Sequence, residues 1–152
     1  MTNRIALISL ILCVNWFLPL PLAAEKKCTP TAADAQGPFY KPSVPLRDRT
    51  GTGFIIEGTV RSAGSCEAIG GARVEWWQTS PAGLYDDDHR GAQLSDNEGQ
   101  YRIETDFPPP YSGRPSHVHF KVFASGYRTL TTQVYPAKDQ GILPSDFVLI
   151  KK

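Results

Sequence analysis

The sequence predicts an all-β fold, a β-sandwich of about six to eight mostly antiparallel strands with long loops. Three observations carry that expectation. Short runs rich in β-branched and aromatic residues recur along the chain, separated by clusters of Gly, Pro, Asn and Asp. No stretch after residue 24 sustains the apolar repeat of an amphipathic helix. Thirteen glycines and thirteen prolines in 152 residues suit many turns and few long helices.

The first segment stands outside that fold. Arg4 gives a basic start, residues 5–22 are almost wholly apolar, and Leu22-Ala23-Ala24 ends on small residues, the pattern of a secretory signal peptide over 1–24. Pro19 and Pro21 interrupt a continuous helix and favour cleavage over retention as a membrane anchor. Cleavage leaves 128 residues (152 − 24), enough for one domain, 25–152, with a real core. Only Arg4 is lost from the 16 basic residues, so 15 (16 − 1) face 15 acidic ones. Such a balance offers no electrostatic footprint for nucleic acid and no stable attachment to an anionic membrane. The expected location is the periplasm or the cell exterior, and homo-oligomer formation is left open. Cys13 leaves with the signal segment, and Cys28 and Cys66 then have one possible pairing, which an oxidising compartment favours. That bond would tie the start of the mature chain to the turn at 62–66 and stabilise by about 4 kcal/mol.

Residues 28–50, with Pro30, Pro38, Pro42 and Pro45, read as an extended arm that wraps the sandwich. Strands are expected at 53–61, 72–78, 100–104, 118–124, 129–135 and 146–150. Turn chemistry flanks them: Ala63-Gly-Ser65, Gly70-Gly71, Asp96-Asn-Glu-Gly99, Ser125-Gly126 and Leu143-Pro-Ser145. The segment 79–92 reads as one long loop that carries Tyr85 and the acidic run Asp86-Asp-Asp88, and loops of that length are often functional. His89, within it, reads as a solvated surface residue. Trp76 and Trp77 alternate on a strand, and burial of both beneath loops is favoured. Exposure of either, or of Tyr40, would instead support a non-catalytic exported module that binds a carbohydrate or protein partner.

The stretch from Pro108 to Phe120 concentrates chemistry: three prolines, Tyr111, Arg114, then His117-Val-His119 at the start of an expected strand. Residues two apart on a strand share a face, so His117 and His119 present both imidazoles to one side while Val118 and Phe120 face the other. Tyr85 and Tyr111 supply two phenols. Phenolates are hard anionic donors that suit a hard, highly charged ion, and imidazoles suit iron, copper or zinc, so Tyr85, Tyr111, His117 and His119 match iron(III) best.

The chain resembles the intradiol ring-cleavage dioxygenases, in particular the core of protocatechuate 3,4-dioxygenase. The resemblance runs in order through Thr29-Pro30, Gly37-Pro-Phe-Tyr40, Gly58-Thr-Val60, Gly71-Ala-Arg-Val-Glu-Trp-Trp-Gln78, Gly83-Leu-Tyr85, Asp96 with Gly99-Gln-Tyr101, Arg114-Pro-Ser-His-Val-His-Phe120, Thr131-Thr-Gln-Val-Tyr135 and Asp146-Phe-Val-Leu149. It implies a β-sandwich that holds Fe(3+) in loops and strand ends. Tyr111 would match the tyrosine that substrate displaces, Tyr85 the one that stays, Arg114 the cation over the bound ring, and Gln133 a glutamine beside it. The implied reaction opens a catechol with O2 between its two hydroxyl-bearing carbons, giving a cis,cis-muconate-type diacid. A third reading keeps the four ligands but lets them hold another metal without oxygenation.

Overall fold

The computed structural model describes residues 27–152; the expected signal segment lies outside the described residues. Eight strands are present among them: β1 (Phe54–Ser62), β2 (Arg73–Gln78), β3 (Arg90–Leu94), β4 (Gln100–Thr105), β5 (Val118–Phe123), β6 (Leu130–Val134), β7 (Ile142–Pro144) and β8 (Phe147–Leu149). They form two sheets, one ordered β4-β1-β7 with β8 also on β1, the other ordered β3-β2-β5-β6. All pairings between these strands are antiparallel except those of β7 and β8 with β1. No helix among the described residues is long and apolar enough to cross a membrane.

The strands form because alternation gives each sheet an apolar inner face. Phe54, Ile56, Val60, Tyr101, Ile103, Phe147 and Leu149 from the first sheet meet Val74, Trp76, Val118, Phe120 and Val122 from the second, all nearly inaccessible to water. Burying each large apolar side chain contributes about 1.5–3 kcal/mol. In β4 the alternation is plain: Tyr101 and Ile103 face inward while Gln100 and Arg102 are exposed.

The six expected strands are present, with ends that differ by a residue or two, and two more join them. β3 occupies the end of the segment read as loop. Its Arg-Gly-Ala-Gln-Leu sequence carries no alternating signal, and it is a strand because it pairs with β2 on one side and meets Leu46 of the arm on the other. β7 is three residues long and runs along β1 just ahead of β8. Between them, Ser145 donates its N–H to the Glu57 carbonyl, and Asp146 Oδ1 accepts from Thr59 N–H. Gly58 lies against the Ser145 carbonyl, where a Cβ would collide. The expected tight turn at 96–99 is held by Asp96, whose Oδ1 accepts from the N–H groups of Glu98 and Gln100.

The second sheet is covered on both faces, by the first sheet within and by the arm without. The arm has no regular strand, as expected, but it is tied down along its length. Asp34 N–H donates to Thr131, Tyr40 donates to the buried Glu75, and Arg73 bonds the Val44 carbonyl. Cys28 and Cys66 form a disulfide that anchors its start. This cover explains how residues on the outer face of β5 become buried.

Candidate metal centre

The strand register lays Trp77, His119 and Gln133 side by side across β2, β5 and β6 on the outer face of the second sheet. His117 precedes them on the same face, and both histidines are buried under the arm and the neighbouring loops. Val118 and Phe120 enter the core, as alternation requires. His119 stacks on Trp77 with ring centroids 5.0 Å apart and planes within 7°. Gly37 of the arm passes directly over it with φ +68°, and a Cβ there would lie 3.3 Å from His119 Cε1. Glycine meets both demands, the left-handed backbone and the close approach.

Tyr85 arrives from the loop after β2. Its hydroxyl lies 2.9 Å from His117 Nε2 and 3.1 Å from His119 Nε2. The ring stacks on Phe39 at 4.2 Å, and Tyr111 stands edge-on to it at 5.2 Å. The loop is fixed by Arg90, whose buried guanidinium donates to the carbonyls of Asp86 and Phe39 at 2.9 Å each and reaches that of Tyr85 at 3.5 Å. His89 is a strut here and not a solvated residue. Its side chain is 12% exposed, and its two nitrogens meet Asp86 at 2.8 Å and Asp106 at 3.1 Å.

Tyr111 and Arg114 pair across a two-residue turn, each backbone N–H donating to the other's carbonyl. Ser112 and Gly113 between them have φ of 48° and 76°, the signs of a type I′ hairpin turn. Arg114 is therefore placed by the same turn that places Tyr111. Its Nη2 donates to Gln133 Oε1 at 2.7 Å and to Tyr135 Oη at 3.1 Å.

Burial keeps the donors of this group in their neutral forms. Burial pushes the Tyr85 phenol up to about 12, with the Arg114 charge opposing and Tyr111 adding to the rise. Burial, followed by the charges of His117 and Arg114, holds His119 down to about 4. His117 is lowered chiefly by burial. His117 Nδ1 lies 2.7 Å from the Pro115 carbonyl, an acceptor only, so that nitrogen carries the proton and the Nε2 lone pair faces Tyr85. The phenol can donate its single proton to His117 Nε2, while His119 Nδ1 is buried with no hydrogen-bond partner. A metal ion in place of that proton would have all three atoms as donors and would drive the phenol to ionise. The Tyr85 hydroxyl and the two Nε2 atoms thus converge, with the Tyr111 ring edge-on beside them, and phenol and imidazole donors of this kind would suit a hard cation. Among the described residues no cluster of three or more His, Cys, Asp or Glu offers another site.

The three aromatic residues considered for a binding surface are not free to form one. Trp76 and Trp77 are both buried, and the Tyr40 hydroxyl is committed to Glu75 while Lys121 covers its ring at 4.1 Å. Phe39, Asp34 and Tyr135 belong to the site and escaped sequence reasoning. Phe39 and Tyr135 did lie in segments that carry the resemblance, and Tyr135 also falls two residues beyond Gln133.

The model of a protein family described as Dioxygenase matches residues 29–151. The catechol 1,2-dioxygenase of Candida albicans is 32% identical over 146 residues, covering 71% of this chain and 48% of that protein. The chlorocatechol 1,2-dioxygenase of Pseudomonas putida is 34% identical over 140 residues, covering 69% of this chain and 54% of that protein. Among solved structures, the dioxygenase domain of a dioxygenase–carbohydrate-binding fusion from Streptomyces sp. SirexAA-E superposes with a TM-score of 0.74 at 27% identity, covering 82% of this chain and all of that one. The chain spans about half the length of the curated relatives it matches. With that match along nearly the whole described chain, and with the same fold, the chain belongs to the intradiol ring-cleavage dioxygenase family.

Proposed function

We propose that this chain is an exported non-haem iron(III) dioxygenase that opens a catechol between its two hydroxyl-bearing carbons. Both atoms of O2 enter the product, a cis,cis-muconate-type diacid. The observation that carries this reading is the convergence of the Tyr85 hydroxyl on the Nε2 atoms of both His117 and His119, with Tyr111 edge-on beside it.

Tyr85, Tyr111, His117 and His119 would hold the iron. When bound there, iron(III) would supply Lewis acidity toward the catechol oxygens. Tyr85 is wedged between Phe39 and Tyr111 and is the phenolate that stays. Tyr111 is half-buried at a two-residue turn, and its Oη would take a proton from a catechol hydroxyl as the substrate binds. Arg114, set beside it by the same turn, stabilises negative charge developing on the ring, and Gln133 holds the guanidinium. The buried Trp77 and the half-buried Phe39 flank the ligand atoms.

The test is the visible absorption spectrum of the iron(III)-loaded protein, before and after catechol is added under air. The expected result is a coloured tyrosinate–iron(III) band that shifts with catechol and recovers as a muconate accumulates. A protein that stays colourless after iron(III) loading sinks the reading. A coloured protein that leaves catechol intact keeps the metal centre and sinks the reaction.

A further inference from the structure

Arg114 is a long side chain on the rim of the site, and its direction needs a cause. Two acceptors hold its Nη2, Gln133 Oε1 at 2.7 Å and Tyr135 Oη at 3.1 Å. Gln133 is itself oriented, because its Nε2 donates to the Ala35 carbonyl at 2.6 Å. Tyr135 is a different matter, since a hydroxyl rotates to suit its strongest acceptor. Two acceptors are in reach of its proton, Asp34 Oδ2 at 2.8 Å and Gln133 Oε1 at 3.3 Å.

The choice between them decides what Arg114 finds. With the proton directed at Asp34, the hydroxyl lone pair and Gln133 Oε1 are both free to accept from Arg114. With the proton directed at Gln133, the hydroxyl competes with Arg114 for the same oxygen. A carboxylate is a stronger acceptor than a neutral amide oxygen, so Asp34 settles the orientation. Asp34 is itself held in place. Its Oδ1 accepts from Ala35 N–H at 2.6 Å, and its own N–H donates to Thr131 on β6 at 2.9 Å.

We propose that Asp34, a residue of the arm, acts through Tyr135 as a positioning residue for Arg114. This rests on the ring-opening role of Arg114 given above. The arm thereby does more than cover the sheet, since it sets the direction of the cation that faces the substrate ring. An effect of this kind falls on the charge that develops during reaction and spares the binding of catechol through its two oxygens.

The experiment compares Asp34→Ala, Asp34→Asn, Tyr135→Phe and the Asp34→Ala/Tyr135→Phe pair, all loaded with iron(III). Three quantities are read: kcat with catechol under air, the dissociation constant of catechol under argon, and the melting temperature. Tyr135→Phe should lower kcat about tenfold and Asp34→Ala roughly threefold, a hydrogen bond to a charged group discounted for its place at the exposed rim. Asp34→Asn keeps an acceptor and should restore most of the loss. The double variant should be no worse than Tyr135→Phe alone, since both changes break one chain of bonds. Catechol affinity should stay within about twofold of the parent, because the catechol oxygens are held elsewhere. Unchanged kcat in Tyr135→Phe, additive losses in the pair, or affinity and melting temperature falling in step with kcat would each overturn the proposal. A parent protein that turns over no catechol overturns the ring-opening reading and this proposal with it, whereas turnover with unaltered variants overturns this one alone.

Discussion

Tyr85 shows how much one oxygen atom carries in this structure. Its ring would pack equally well as phenylalanine, since Phe39 and Tyr111 contact only its faces and edge. Tyr85→Phe should therefore fold normally while its affinity for iron(III) falls by more than the roughly 10–100-fold that losing an outer partner of a ligand costs. Competition with a chelator measures this, and an unchanged affinity would remove Tyr85 from the ligand set. His89 gives a prediction of a different kind. Burial opposes its charge, but hydrogen bonds to Asp86 and Asp106 outweigh that and raise its pKa above 6.5. A value raised in the folded state means that the stabilisation is complete below the ordinary imidazole range and is lost as pH climbs through the raised value. Urea unfolding followed across that range should show stability falling toward alkaline pH, and His89→Gln should flatten the fall. At this scale the four proposed ligands were legible because phenol and imidazole donors are recognisable by chemistry and by order along the chain. Asp34, Phe39 and His89 were not, because their roles arise from neighbours far away in sequence: Tyr135, Tyr85 and Asp106.

Elements differ in how openly the sequence declares them. Strands such as β4 and β5 alternate cleanly and could be read, whereas β3 is a strand only because β2 and the arm offer it partners. The loop between β2 and β3 could be read as functional, but its rigidity could not, since that depends on Arg90 reaching back to three carbonyls. Arg90→Ala would remove the buried partner of those half-buried carbonyls, and destabilisation of about 2 kcal/mol is expected. The loosened loop should also weaken iron(III) binding, a loss that Tyr85→Phe should not deepen if Arg90 acts through Tyr85. Equilibrium unfolding and metal titration of the two single variants and the pair decide this. The hairpin turn at 111–114 is the other element of consequence. Replacing Gly113 by a β-branched residue would oppose its positive φ and should reduce kcat with little effect on global stability.

The whole molecule is a sandwich whose ends are stitched to its middle. The disulfide joins residues 38 apart, and Thr31 donates its N–H to Val148, so the arm and β8 meet. Reduction of the bond should cost about 4 kcal/mol of stability, read as the difference between urea midpoints with and without reductant. The sandwich class was legible in the spacing of strands and turns. The sheet order was not, because nothing local in the sequence says that β1 receives β7 and β8 as parallel partners. That pairing has a consequence in time. The first sheet waits for residues near 149 before its central strand is complete, and the arm, which roofs the second sheet, is pinned partly by those same residues. In a growing chain the start of the arm therefore gains its last partners only when β8 has emerged. If Tyr85, Tyr111, His117 and His119 hold iron(III) as proposed, a chain that ends before β8 should bind it more weakly than the full chain, which metal titration of the truncated protein would measure.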